Sequence, residues 1–125
     1  MTAKEVVLAY WKAMEGNDFY KASVCLSEDF ECYWPQSSEL IISRENFAEM
    51  NTNYPANGTW RFNINSVVCE GNQEVSDVDI TDSIVSARAI TFHTVENGLI
   101  TKQTEFWPDN YDAPEWRRKW VKIVK

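Results

Sequence analysis

Two periodicities divide the chain. Up to about residue 51 apolar positions recur every three to four residues, and from Thr59 to Trp107 they alternate with polar ones. Thr2 followed by Glu5 forms a capping box, which opens a helix carrying Val7, Trp11 and Met14 on one stripe and Val6, Tyr10 and Ala13 beside it. Gly16 closes it. Asp18 caps a shorter helix through "FYKASVCL", and the brief "GND" connection makes the two an antiparallel pair. "FECYW" reads as a strand closed by Pro35. Leu40 to Ile42 is a short extended piece leading to Ser43, the N-cap of "RENFAEMN", whose Phe47 and Met50 are its buried side before "NYPANG" stops it.

The alternating half contains "TWRFNINSVV", "QEVSDVDIT", "SIVSARAITFHTV" and "LITKQTEFW", separated by the turn signals "EGN", "DS" and "ENG". The pattern predicts three helices and a short strand in residues 1 to 51, then a four-stranded antiparallel meander in residues 59 to 107. The long strand from Ser83 to Val95 favours strong curvature. Pro108 ends the last strand at Trp107. Asp112 with Glu115 then caps a C-terminal helix over residues 113 to 122, whose Trp116, Trp120 and Ile123 share one face and require burial. No repeat or linker interrupts a single domain over residues 1 to 125.

A chain of 125 residues can bury a full core without staples. Its aromatic content of 14% exceeds what a core alone needs, so some rings are expected to line a cavity or an interface. The net charge of -7 disfavours nucleic acid and anionic lipid as partners. Arg117, Arg118, Lys119, Lys122 and Lys125 form the wet face of the C-terminal helix. The N-terminus lacks the apolar run of a signal peptide, and no stretch is long enough to span a membrane. Cys25, Cys32 and Cys69 make no CxxC pair, which fits reduced thiols and a cytoplasmic location. With His93 the single histidine, no metal site or cofactor is expected.

The motifs "YWKAMEGNDF", "LSEDFECYWP", "ISRENFAEMN", "FHTVENGLITKQTEFWP" and "APEWR", in this order and spacing, resemble the nuclear transport factor 2-like superfamily in its SnoaL-like branch. The resemblance implies an α+β fold, a conical barrel with N-terminal helices packed on a strongly curved antiparallel sheet. It also implies a pocket at the open end of the cone and a homodimer paired through the sheets. Members include ketosteroid isomerases, polyketide cyclases, dehydratases and epoxide hydrolases, as well as non-catalytic binding and association domains, so fold alone leaves function open.

Position by position, the isomerase tyrosine of the first helix corresponds to Tyr10, in "YxxAxxxxD". The isomerase general base is replaced by Trp34 and the second acid by Thr91. The cyclase base position holds Trp107. The two histidines of the dehydratases cannot be matched. In the family register, strand alternation turns Ala87, Ala89, Thr91, His93 and Val95 inward together with Gln103, Glu105 and Trp107. His93 and Glu105 could then form an acid/base pair with Tyr10 as hydrogen-bond donor, while Trp11, Trp34, Thr91, Gln103 and Trp107 bind a ligand. Enclosure should place Glu105 in a hydrogen bond with Tyr10, Gln103 or His93. Trp60, Phe62, Ile90, Phe92 and Phe106 fall on the outer face and motivate the homodimer. The expected function is binding of a small, largely apolar molecule, with isomerase, lyase or cyclase chemistry; the alternative is a non-catalytic ligand-binding or association module.

Overall fold

Each helix start is fixed by its own side chain. In the computed structural model, which describes residues 1 to 124, the Thr2 hydroxyl accepts from the Glu5 amide at 3.1 Å and the Glu5 carboxylate accepts from the Thr2 amide at 3.0 Å, opening α1 (Ala3–Glu15). Asp18 caps α2 (Phe19–Ala22) by accepting from the Lys21 amide, and Ser43 caps α3 (Arg44–Asn53) by accepting from the Asn46 amide. The second helix ends earlier than its pattern suggested. A 3-10 turn over Ser23–Cys25 tightens it, and Leu26 already begins β1 (Leu26–Trp34), which is longer than "FECYW".

Five further strands follow: β2 (Glu39–Ile42), β3 (Arg61–Glu70), β4 (Gln73–Thr81), β5 (Ser86–Glu96) and β6 (Leu99–Phe106). They form one sheet in the order β2-β1-β6-β5-β4-β3. The meander from β3 to β6 is antiparallel as expected, but β1 joins β6 in parallel, so the sheet is mixed and open, with β2 and β3 as its edges. Irregularities in register at Ile64/Ser66, at Thr94/Val95 and between Leu26 and Glu31 accompany its curl. Asn97 and Gly98, both with positive φ, make the tight β5–β6 turn. The β4–β5 connection is longer than "DS". The Asp82 carboxylate accepts from the amides of Asn57, Ile84 and Val85, holding the chain in a loop until Ser86 and drawing its own pKa down to about 2.

The helices cover the concave face. Val7, Tyr10 and Trp11 of α1 and Phe47 of α3 pack there with Leu26, Phe30, Val78, Ala89 and Ile100. Phe62 also faces this side, because its partner across the ladder is Ile80, and its ring lies 5.9 Å from that of Trp11. Trp60 joins it: the Asn17 side chain both donates to the Trp60 carbonyl and accepts from the Trp60 amide at 2.9 Å. The two rings therefore do not belong to the outer face assigned from alternation alone. The parity change at the Ile64/Ser66 irregularity is what that assignment could not include.

The C-terminal helix is a second correction. Residues after Phe106 run without regular structure to a six-residue 3-10 segment, Glu115–Trp120, which lacks a side-chain cap. Trp116 and Trp120 are 74% and 69% exposed. A 3-10 spacing cannot gather residues 116, 120 and 123 onto one stripe, and basic neighbours settle over the rings instead, Lys119 at 4.9 Å from the Trp120 centroid. Trp120→Ala should accordingly shift unfolding free energy by no more than about 0.5 kcal/mol, whereas Trp11→Ala should cost about 3–5 kcal/mol. Urea denaturation midpoints of the two variants would check this.

Candidate functional site

The open end of the curved sheet encloses a cavity of about 130 Å³. From α1 come Tyr10, Trp11 and Met14, from α2 Phe19, and from α3 and the residues after it Phe47, Asn51 and Tyr54. The sheet side supplies Trp34, Trp60, Phe62, Ile80, Val85, Ala87, Glu105 and Trp107. Ala87 leaves space above β5, and Trp34 and Trp107 meet edge to face with centroids 6.0 Å apart. Among the described residues Glu105 is the one charged side chain in this wall, and no Lys, Arg, His or Asp lines it.

Glu105 is 5% exposed and is gripped through both oxygens. Trp34 Nε1 donates to Oε1 at 3.0 Å and Thr91 Oγ1 donates to Oε2 at 2.6 Å. Both donors follow from register, since Thr91 lies opposite Glu105 on β5 and the parallel pairing of Tyr33 with Thr104 carries Trp34 alongside it. Burial pushes its pKa up, and the two donors oppose that shift. Burial, followed by the Glu105 charge, also holds the Tyr10 hydroxyl well above its ordinary range, so Tyr10 stays protonated and able to donate. Enclosure of Glu105 is as expected, but its partners are Trp34 and Thr91, not Tyr10, Gln103 or His93. Trp34, at the position the resemblance assigns to the isomerase base, is the donor that holds an acid on another strand.

His93 is occupied otherwise. It is fully buried, outside the cavity wall, and opposite Gln103 in the ladder. Its Nδ1 lies 2.7 Å from Gln103 Oε1, an atom that can only accept, so Nδ1 carries the proton. Nε2 must therefore accept, and the Ser76 hydroxyl 2.7 Å away donates to it while accepting from Trp11 Nε1 at 3.1 Å. Gln103 Nε2 points on to Cys32 Sγ at 4.0 Å. Every polar atom of the imidazole is used, and no His93–Glu105 hydrogen bond forms. The expected acid/base pair is replaced by two separate groups: Glu105 with Thr91 and Trp34 at the cavity, and His93 with Gln103 and Ser76 beneath it.

Of the residues singled out from sequence, the structure brings Tyr10, Trp11, Trp34, Glu105 and Trp107 to the cavity, places Thr91 behind Glu105, and withdraws His93 and Gln103. Ser76 and Asn51 were missed. Ser76 is legible only as a polar residue on the buried face of β4, and Asn51 as a polar residue one turn beyond Phe47 on α3. Among the described residues no group of three or more His, Cys, Asp and Glu could hold a metal ion, and no helix is long and apolar enough to cross a membrane.

An open, curled sheet roofed by three helices over an aromatic cavity is the nuclear transport factor 2-like cone. The SnoaL-like domain family matches residues 7–103, and the chain belongs to that family. It is similar to a candidate ketosteroid isomerase from Kribbella flavida, at 26% identity and a TM-score of 0.90, covering 98% of this chain and 90% of that one. An NTF2-like protein of unknown function from Burkholderia xenovorans has 26% identity and a TM-score of 0.81, covering 98% and 95%. A candidate SnoaL-like polyketide cyclase from Shewanella denitrificans shares the fold at 14% identity and a TM-score of 0.70, covering 85% and 90%. No protein of curated function matches the sequence.

The network around His93 has a measurable signature. Burial brings its pKa down from 6.5 to about 4. The folded state thus binds fewer protons than the unfolded one in this range, so the His93 contribution to stability is full above pH 6.5 and is lost as pH falls towards 4, amounting to about 3 kcal/mol. As the single histidine of the chain, His93 should give one set of imidazole NMR signals with no titration near pH 6.5 and with the Nδ1–H tautomer at neutral pH.

Proposed function

We propose that the protein binds a small, largely apolar molecule in the aromatic cavity, and that any proton transfer on that molecule passes through Glu105. The observation that carries this reading is a lone enclosed carboxyl set in a wall of rings, held by donors on neighbouring strands and, among the described residues, without a cationic partner. Such a group can take or give a proton beside an apolar ligand, as isomerase, lyase or cyclase chemistry requires, with Tyr10 as the nearby phenol. The relationship to isomerases and polyketide cyclases supports the same class of ligand. Binding without turnover is the second reading, favoured by the commitment of His93 to the core, which leaves one acid/base group where two would be usual. The free thiols of Cys25, Cys32 and Cys69 accord with a cytoplasmic setting.

Four of the six tryptophans line the cavity, so occupancy should change intrinsic fluorescence. Neutral probes of single-ring size, such as cyclohexanone and phenol, are expected to bind, and Ala87→Leu, which fills the cavity above β5, should weaken them at least about tenfold. Binding undisturbed by that change would show that the cavity is not the site. Where a turnover assay is found, Glu105→Gln should reduce the rate by about 10²–10⁴.

A second copy of the chain is the proposed partner. Cross-strand pairing lines up Leu40, Tyr33, Thr104, Phe92, Val75 and Val68 in one row across all six strands on the convex face. Phe106 lies beside Phe92, ring centroids 6.1 Å apart. Leu40, Tyr33, Phe92 and Val68 are all exposed, a stripe better covered than wetted. Sedimentation at micromolar concentration is expected to show a dimer, and Phe92→Glu to convert it to a 14.5 kDa monomer.

A further inference from the structure

The cavity wall contains four indoles, Trp11, Trp34, Trp60 and Trp107, and two phenols, Tyr10 and Tyr54, with a single carboxyl, Glu105, among them. We propose that the cavity is built for a small methylated ammonium ion, a quaternary or tertiary amine with at most a short hydroxylated arm. This inference rests on the small-ligand reading above and specifies its chemical class.

Among the described residues an anion finds no Lys, Arg or His in the wall, and it meets Glu105 in a chain of net charge -7, so both near and far fields oppose it. A hydrocarbon would leave the carboxyl facing an apolar surface, where its remaining lone pairs lose water without replacement. A primary ammonium has the right charge but three N–H donors, and among the lining side chains only Glu105 and Asn51 offer strong acceptors. Methylation cuts that demand to one N–H in a tertiary ammonium, which Glu105 can accept, and to none in a quaternary one. A methylated ammonium presents its charge through carbon-bound hydrogens, which require no hydrogen bonds and are attracted to ring faces, most strongly to indole.

Glu105 is placed to complete such a cage. Trp34 and Thr91 approach it from β1 and β5 and occupy one acceptor position on each oxygen, which fixes the carboxyl without using its full capacity. The cavity of about 130 Å³ is close to the size of a cavity that admits one benzene ring, so the ion must be compact. Trp107 contributes the edge of its indole to the same wall, against Trp34 with ring centroids 6.0 Å apart.

Isothermal titration of the unmodified protein with choline and with its neutral isostere 3,3-dimethylbutan-1-ol tests the charge directly, because the two differ by one nitrogen for carbon. Choline is expected to bind at least about tenfold more tightly. Glu105→Gln should remove that advantage, bringing the two affinities together. Equal binding of the two probes to the unmodified protein would overturn the proposal while leaving a neutral-ligand pocket intact. Absence of choline binding at millimolar concentration would also overturn it, and only a simultaneous failure of the neutral probes cyclohexanone and phenol would remove the small-ligand reading as well. The comparison on the unmodified protein decides the question even where the Gln variant fails to fold.

Discussion

The buried chain of hydrogen bonds through His93 is the constraint on which the rest of the molecule depends. It runs from Trp11 on α1 to Ser76 on β4, His93 on β5, Gln103 on β6 and Cys32 on β1, crossing the helix layer and four strands. Buried polar groups of this kind are costly unless all are satisfied, and here the direction of each bond is set by the next. A shift of β6 by one residue would bring Lys102 or Thr104 opposite His93 and leave the imidazole unpaired. The network therefore selects the register that apolar packing alone would leave less specified.

That register in turn creates the cavity chemistry. With Gln103 opposite His93, Glu105 falls opposite Thr91, two residues nearer the open end, where Trp34 reaches it from the parallel neighbour β1. The two polar clusters are consecutive steps of one inward-facing row, yet they differ in kind. Under the helices, with Gln103 and Ser76 on its two ring nitrogens, the imidazole is kept neutral. At the cavity the carboxyl retains unused acceptor positions and a neighbouring space. Depth in the cone, more than residue type, separates a group that holds the fold from one that can meet a ligand.

Much of this was legible from local pattern. The capping residues Thr2, Asp18 and Ser43, the meander with its β3–β4 and β5–β6 turns, and the inward alternation of Thr91, His93, Gln103 and Glu105 all follow from side-chain chemistry at short range. What escaped depends on distant partners. Alternation placed Phe62 outward because the Ile64/Ser66 irregularity reverses parity and cannot be seen without β4. Helical spacing joined Trp116 to Trp120 because no sequence rule indicated that the sheet offers them no apolar surface. His93 and Glu105 were paired because both point inward; choosing between Gln103 and Glu105 as the imidazole's partner requires knowing which residue of β6 lies directly across.

The sheet's failure to close has a consequence for how copies of this protein can meet. Unpaired strand edges invite further strands, and an open sheet displays two. Here β2 is only four residues long, and β3 is interrupted where Ile64 gives way to Ser66, so neither edge offers a long, regular row of free amides and carbonyls. Any contact between copies is thereby steered from backbone to side chains, and the fibre growth that a receptive edge would propagate is discouraged.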